Sequence, residues 1–108
     1  MWADAGTDTN VGAAPRILVF GDSLSAAYGI ELDDGWVALL QQRLQAQGRP
    51  HQVVNASVSG ETTAGGRARL PALLASASYA TVVIELGGND GLRGLSLAQT
   101  EDNLRGMI

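Results

Sequence analysis

The chain has 108 residues, of which 45% are hydrophobic and 17% charged, and it contains no cysteine. This length allows one compact domain, and the apolar content excludes disorder over most of the chain. Seven basic against eleven acidic residues give a net charge of −4 without a basic cluster, which excludes an electrostatic nucleic-acid binder. The apolar runs are too short for a membrane span, and the lack of cysteine excludes disulfides, thiolate metal sites and cysteine nucleophiles.

The first half of the chain predicts a strand, a helix and a second strand. Residues 1–15 are small, polar and acidic, and we expect a flexible N-terminus there. Residues 16–20 form a short apolar run typical of a buried parallel strand, and residues 52–56 form another. Between them an amphipathic helix is predicted after Asp34, ending near Gly48. Its apolar face comprises Trp36, Val37, Leu39, Leu40 and Leu44.

The second half repeats this alternation. Residues 62–76 predict a helix in which Pro71 causes a kink or a restart. Residues 81–86 predict a third strand, and residues 87–94 a glycine-rich loop. Ser96 and Gln99 form a capping box for a last helix. This helix runs through Leu97, Leu104, Met107 and Ile108.

Strands that alternate with helices predict an α/β fold with a parallel sheet covered on both faces. Ligands of such sheets gather beyond the carboxyl ends of the strands. Three polar, glycine-containing turns lie at these ends, at residues 21–25, 59–63 and 87–91, and we expect them to converge on one rim.

Each turn offers one group suited to acyl transfer. Ser23, just past the first strand, is a candidate nucleophile, while the Gly60 backbone and the Asn89 amide could donate hydrogen bonds to an oxyanion. Taken singly, Ser23 is more typical of a helix cap than of a nucleophile, and Gly60 and Asn89 are more typical of ordinary turns. Asp22 is better suited to bracing the loop than to acting as a triad acid. The lone His51 is expected on the surface at the opposite rim.

Other motifs are incomplete. The first turn lacks the second glycine of a Gly-x-Ser-x-Gly elbow, and residues 60–67 lack the lysine of a P-loop. Potential metal ligands are few and scattered, so neither a metal nor an organic cofactor is predicted.

Taken together, the three turns make the sequence resemble the GDSL or SGNH hydrolases, from residue 16 to the end. The matching blocks are GDSLSA at residues 21–26, NASVSGET at residues 55–62 and ELGGNDGLRG at residues 85–94. The resemblance is strongest to the bacterial branch with acyl-CoA thioesterase I, arylesterase and lysophospholipase activities. It implies a flavodoxin-like, three-layer α/β/α sandwich, with residues 16–108 supplying about three of five strands as the N-terminal part of one domain.

The resemblance also implies roles for particular residues. Ser23 would be the nucleophile, and its N–H, the Gly60 N–H and the Asn89 side chain would form the oxyanion hole. The segment that shapes the acyl pocket in this branch would correspond to Gly91, Leu92, Arg93 and Leu95.

The Asp-x-x-His block, which supplies the general base in this family, has no counterpart in the chain. We therefore expect the base on a missing C-terminal portion, which could be a separate chain, and we expect the 108 residues alone to be inactive. The resemblance implies a periplasmic or secreted hydrolase of small acyl esters and thioesters. A carbohydrate acetylesterase and a truncated, non-catalytic acyl-binding fragment remain as alternatives.

Overall fold

The computed structural model describes residues 14–108. Most of the N-terminus predicted to be flexible, residues 1–15, therefore lies outside the described residues. Pro15 is already fixed to the fold, because its carbonyl accepts a 2.9 Å hydrogen bond from the Gln52 N–H. The first strand begins at the next residue.

Three parallel strands form the sheet, in the order β2-β1-β3. They are β1 (Arg16–Gly21), β2 (Gln52–Asn55) and β3 (Thr81–Glu85). All three predicted strands are thus confirmed to within one residue at each end. Strand β1 is central and paired on both sides, which explains why its Leu18, Val19 and Phe20 are fully buried.

Five α-helices and one short 3-10 helix (Leu32–Asp34) connect and cover these strands in the described part of the chain. The α-helices are α1 (Ser23–Ala26), α2 (Trp36–Ala46), α3 (Thr63–Ser76), α4 (Gly88–Leu92) and α5 (Leu97–Met107). Three of them were predicted. The loop prediction for residues 87–94 is wrong in part, because α4 forms one helical turn there after Gly87, whose φ of +124° favours glycine.

Helix α3 continues past Pro71, so the predicted restart is wrong. An interior proline removes one backbone hydrogen bond and costs about 3 kcal/mol. Leu70 and Leu73, on either side of it, pack in the core with Leu18 and Phe20 of β1. Tertiary packing of this helix therefore outweighs the local penalty.

The predicted apolar faces of α2 and α5 are wrong in part. Val37 is buried, but Leu39 is 51% exposed. In α5, Met107 packs against the core, whereas Leu97 and Ile108 are almost fully exposed. Helical periodicity identifies a face but not how far neighbouring elements cover it, and Leu97 and Ile108 lie at the two ends of the helix.

The order of the strands determines where a site can lie. The chain leaves β1 toward β2 and then crosses back past β1 to β3, so the connections diverge between β1 and β3. Such a switch point leaves a crevice at the carboxyl ends of the two strands. Ser23 follows β1 and Asn89 follows β3, so both lie at this crevice.

Two leucines of α3 test the assignment of the core. Leu70 is 3% exposed and Leu74 is 44% exposed. We expect Leu70→Ala to lower the free energy of unfolding by about 2–5 kcal/mol, because it leaves a cavity against Phe20. The matched variant Leu74→Ala should lower the free energy of unfolding by less than about 1 kcal/mol. Both values are measured by urea titration. Equal losses would show that α3 does not pack through Leu70.

Candidate active site

The turn after β1 presents Ser23 at the start of α1. Asp22 caps this helix, because its carboxylate accepts a 3.0 Å hydrogen bond from the Leu24 N–H. The structure therefore agrees with Asp22 as a loop-bracing residue. Ser23 is half-buried, and neither its N–H nor its Oγ forms a hydrogen bond with any group in residues 14–108. Both atoms are available to a ligand.

The turn after β2 presents Gly60. A backbone hydrogen bond of 3.2 Å from the Glu61 N–H to the Val58 carbonyl closes the turn, with Gly60 at its third position and a φ of +84°. A type II turn requires this positive φ, which explains the glycine. Gly60 is exposed, and its N–H donates to no group in the described residues.

The turn after β3 presents Asn89 within α4. Its Nδ2 donates a 2.8 Å hydrogen bond to the Glu61 carbonyl. A carboxamide nitrogen carries two hydrogens, so one holds Asn89 against the neighbouring turn and the other remains for a ligand. Arg93, at the end of α4, also contacts the turn after β2, since its Nη2 lies 3.4 Å from the Gly60 carbonyl.

Hydrogen bonds join the three turns on one rim, as the sequence predicted. Gly21, the last residue of β1, donates to Ser57 Oγ at 3.1 Å and accepts from the Val58 N–H at 3.0 Å. The turns after β1 and β3 meet where Glu85 Oε1 accepts from Ser25 Oγ at 2.7 Å and from the Asp22 N–H at 3.3 Å. With the bond from Asn89, each turn is fixed to both others.

Glu85 is a half-buried acid at the turn after β1, and sequence reasoning missed it. Burial raises the pKa of Glu85, the nearby Asp22 carboxyl raises it further, and the hydrogen bond from Ser25 opposes the rise. Trp36 Nε1 in turn donates to Ser25 Oγ at 3.1 Å. The sequence signal that could have identified Glu85 is a single glutamate at the end of an apolar strand.

Asp90, also missed, joins the turn after β3 to two helices. This buried carboxylate accepts from the Thr63 N–H at 2.8 Å, from Thr63 Oγ1 at 2.6 Å and from Thr100 Oγ1 at 3.1 Å. Burial alone would raise the pKa of Asp90, but these hydrogen bonds outweigh it and hold the pKa below its ordinary value. Asp90 is therefore a buried, charged anchor next to Asn89.

His51 lies at the opposite end of the sheet, as expected. It precedes Gln52, which pairs with Arg16 at the start of β1, whereas Ser23 follows the end of that strand. Strand β1 lies between them, and its five residue steps from Arg16 to Gly21 span about 16 Å. His51 is half-buried, so the prediction of a surface histidine is wrong in part, and its buried Nδ1 has no partner among the described residues.

The residues predicted to shape an acyl pocket are all exposed, and one of them, Arg93, contacts the Gly60 turn. They are Gly91, Leu92, Arg93 and Leu95. Leu92 is 87% exposed. Residues 14–108 contain no cluster of side chains that could hold a metal ion and no helix long and apolar enough to cross a membrane.

Comparison with known proteins identifies a family whose model covers this rim. The model of the GDSL-like Lipase/Acylhydrolase family matches residues 19–108, which include all three turns. The chain belongs to this family.

Its relatives are ester and thioester hydrolases by name. Esterase TesA of Pseudomonas aeruginosa is 61% identical over 99 residues, which cover 92% of this chain and 49% of the relative. Thioesterase 1/protease 1/lysophospholipase L1 of Escherichia coli is 49% identical over 96 residues, covering 89% and 45%. The crystal structure of TesA superposes with a TM-score of 0.83 at 62% identity, covering 85% of this chain and 51% of that one.

These comparisons confirm the GDSL resemblance and the α/β fold class. The chain spans about half the length of the curated relatives it matches.

The Asp90 anchor predicts a pH-dependent stability. Because its pKa is lowered in the folded state, the carboxylate contributes its full stabilisation above the ordinary pKa of 3.8, and this contribution is lost as the pH falls from that value through the lower pKa of the folded state. Asp90→Asn should lower the free energy of unfolding at pH 7 by about 1.5–3 kcal/mol, since its amide faces hydrogen-bond donors.

The difference between wild type and Asp90→Asn should shrink below pH 3.8 in urea titrations. Asp102→Asn, which alters an exposed pair with Arg67, should cost less than about 1 kcal/mol at any pH. A loss for Asp90→Asn that does not change with pH would contradict the account.

Proposed function

We propose that this chain is the nucleophile-bearing part of a serine hydrolase that cleaves small carboxylic esters and thioesters. The observation that carries the proposal is the hydrogen-bonded junction of the turns that hold Ser23, Gly60 and Asn89. The names of two relatives, an esterase and a thioesterase, support the same chemistry.

In the proposed reaction, Ser23 Oγ attacks the acyl carbon while a base takes the hydroxyl proton. The carbonyl oxygen becomes an oxyanion, which the Ser23 N–H, the Gly60 N–H and the free Asn89 N–H stabilise. Collapse of this intermediate expels the alcohol or thiol, which receives the proton back from the base. A water molecule, activated by the same base, then hydrolyses the acyl-enzyme and restores Ser23.

The base in this proposal is a histidine, oriented by an aspartate, from a C-terminal portion outside these 108 residues. His51 cannot serve, because the length of β1, about 16 Å, separates it from Ser23. Residues 16–108 would then be the N-terminal part of one domain, completed by the same polypeptide or by a separate chain. Without that portion we expect the chain to be inactive.

The acyl group would contact the exposed segment after β3, from which Arg93 reaches the Gly60 turn. This segment includes Gly91, Leu92, Arg93 and Leu95, and small residues such as Ala26 favour short-to-medium acyl chains. A rate that rises steadily toward very long acyl chains would contradict this preference. The proposal includes a periplasmic or secreted location, which rests on the family resemblance alone.

Covalent labelling tests the nucleophile. In the complete protein, a fluorophosphonate should add one phosphonyl group to Ser23, detected by intact mass and by peptide mapping. Ser23→Ala should abolish the adduct, while Ser59→Ala, an exposed serine in the neighbouring turn, should label as fast as wild type. Unmodified Ser23 after prolonged exposure, in a protein that hydrolyses esters, would refute the proposed role.

A further inference from the structure

Arg69 of α3 binds both ends of the loop that contains Gly60. Its Nη2 donates to the Ala56 carbonyl at 3.1 Å, directly after β2, and its Nε donates to Glu61 Oε2 at 2.9 Å, directly after Gly60. The guanidinium also lies over the Phe20 ring, 4.4 Å from its centroid. One side chain therefore spans residues 56–61 and is itself held by the core.

This ion pair differs from the other arginine pairs of the described residues. The side chains of Arg69 and Glu61 are 34% and 14% exposed, whereas those of Arg67 and Asp102 are 45% and 68% exposed. An exposed pair contributes little, while a partly buried, hydrogen-bonded one is screened less by solvent. The planar guanidinium donates in two directions at once, which a lysine cannot reproduce.

Glu61 connects Arg69 to two proposed oxyanion donors. Its carboxylate is held by Arg69, its carbonyl accepts from Asn89 Nδ2, and its N–H closes the turn in which Gly60 precedes it. A shift of Glu61 would therefore move the Gly60 N–H and the Asn89 amide together. Oxyanion donors act only when they are held in place before the charge develops.

We propose that Arg69 is a positioning residue for the oxyanion hole, acting through Glu61 on the Gly60 N–H and the Asn89 side chain. This inference rests on the proposed function, and it assigns a catalytic consequence to a residue that touches neither substrate nor reacting atoms. Correctly placed oxyanion donors bind the transition state more tightly than the ground state. Displacing them should therefore lower kcat rather than raise KM.

The test compares Arg69→Gln and Arg69→Lys with Arg67→Gln in the complete protein. Arg67 lies two residues earlier on the same helix in an exposed pair, so it is a matched control. For each variant, kcat and KM for an aryl ester are measured, and active sites are counted by titration with a fluorophosphonate. Expressing kcat per titrated site separates a slower site from a smaller folded fraction.

We expect Arg69→Gln to lower kcat per titrated site roughly tenfold or more, with KM changed less than about threefold, since loss of one oxyanion donor costs about 100-fold or more. Arg69→Lys should show nearly the same loss of kcat per titrated site, because lysine keeps the charge but loses the two-directional contact. Arg67→Gln should stay within about twofold of wild type. Glu61→Gln should reproduce much of the defect, and the double variant should be no worse than the more impaired single one.

Two results would overturn the inference while leaving the proposed function intact. One is a kcat per site for Arg69→Gln equal to that of Arg67→Gln. The other is a defect confined to the number of titratable sites, which would make Arg69 a stabilising residue only. A wild-type protein that neither labels nor hydrolyses the ester would instead refute the proposed function, and the inference with it.

Discussion

The close approach of three chain segments at Gly21 is the constraint on which the rim of this protein depends. A Cβ at this position would lie 2.7 Å from both Glu85 Oε1 and Ser25 Oγ and 3.0 Å from the Glu85 carbonyl oxygen, so a larger residue would force these groups to shift. The Gly21 N–H and carbonyl both bond to the turn after β2, at Ser57 and Val58. A bare backbone at the end of the central strand therefore lets the neighbouring turns close around Ser23.

The charges around this junction are arranged by depth. Asp22, Glu85 and Asp90 are acids that lie inward, and hydrogen bonds from backbone, hydroxyl or capping groups satisfy each of them. Arg69 supplies a cation that donates to Glu61, the residue after Gly60. The donors proposed for an oxyanion are thus neutral amides, fixed by a frame that carries the charges.

Much of this arrangement could be predicted from the sequence. Short apolar runs with turn residues at their ends identified the three strands, although only the central strand β1 is buried over most of its length. Parallel strands place their carboxyl ends on one edge, so the grouping of the three turns followed from fold class alone. The family resemblance then supplied the roles proposed for Ser23, Gly60 and Asn89.

What could not be predicted depends on contacts between distant residues. The roles of Glu85, Asp90 and Arg69 arise from partners that are 60, 27 and 8 or 13 positions away, which no local pattern encodes. The continuous α3 through Pro71 likewise depends on packing across the sheet. Exposure of Leu39 and Leu97 escaped prediction because helical periodicity says nothing about which neighbours cover a face.

The most direct test of the account is a crystal structure of the complete protein after reaction with a phosphonate. The account predicts phosphorus bonded to Ser23 Oγ and one phosphonyl oxygen about 2.7–3.1 Å from the Ser23 N–H, the Gly60 N–H and Asn89 Nδ2. A phosphonyl group on another residue, or one on Ser23 whose oxygens contact none of these three nitrogens, would contradict it.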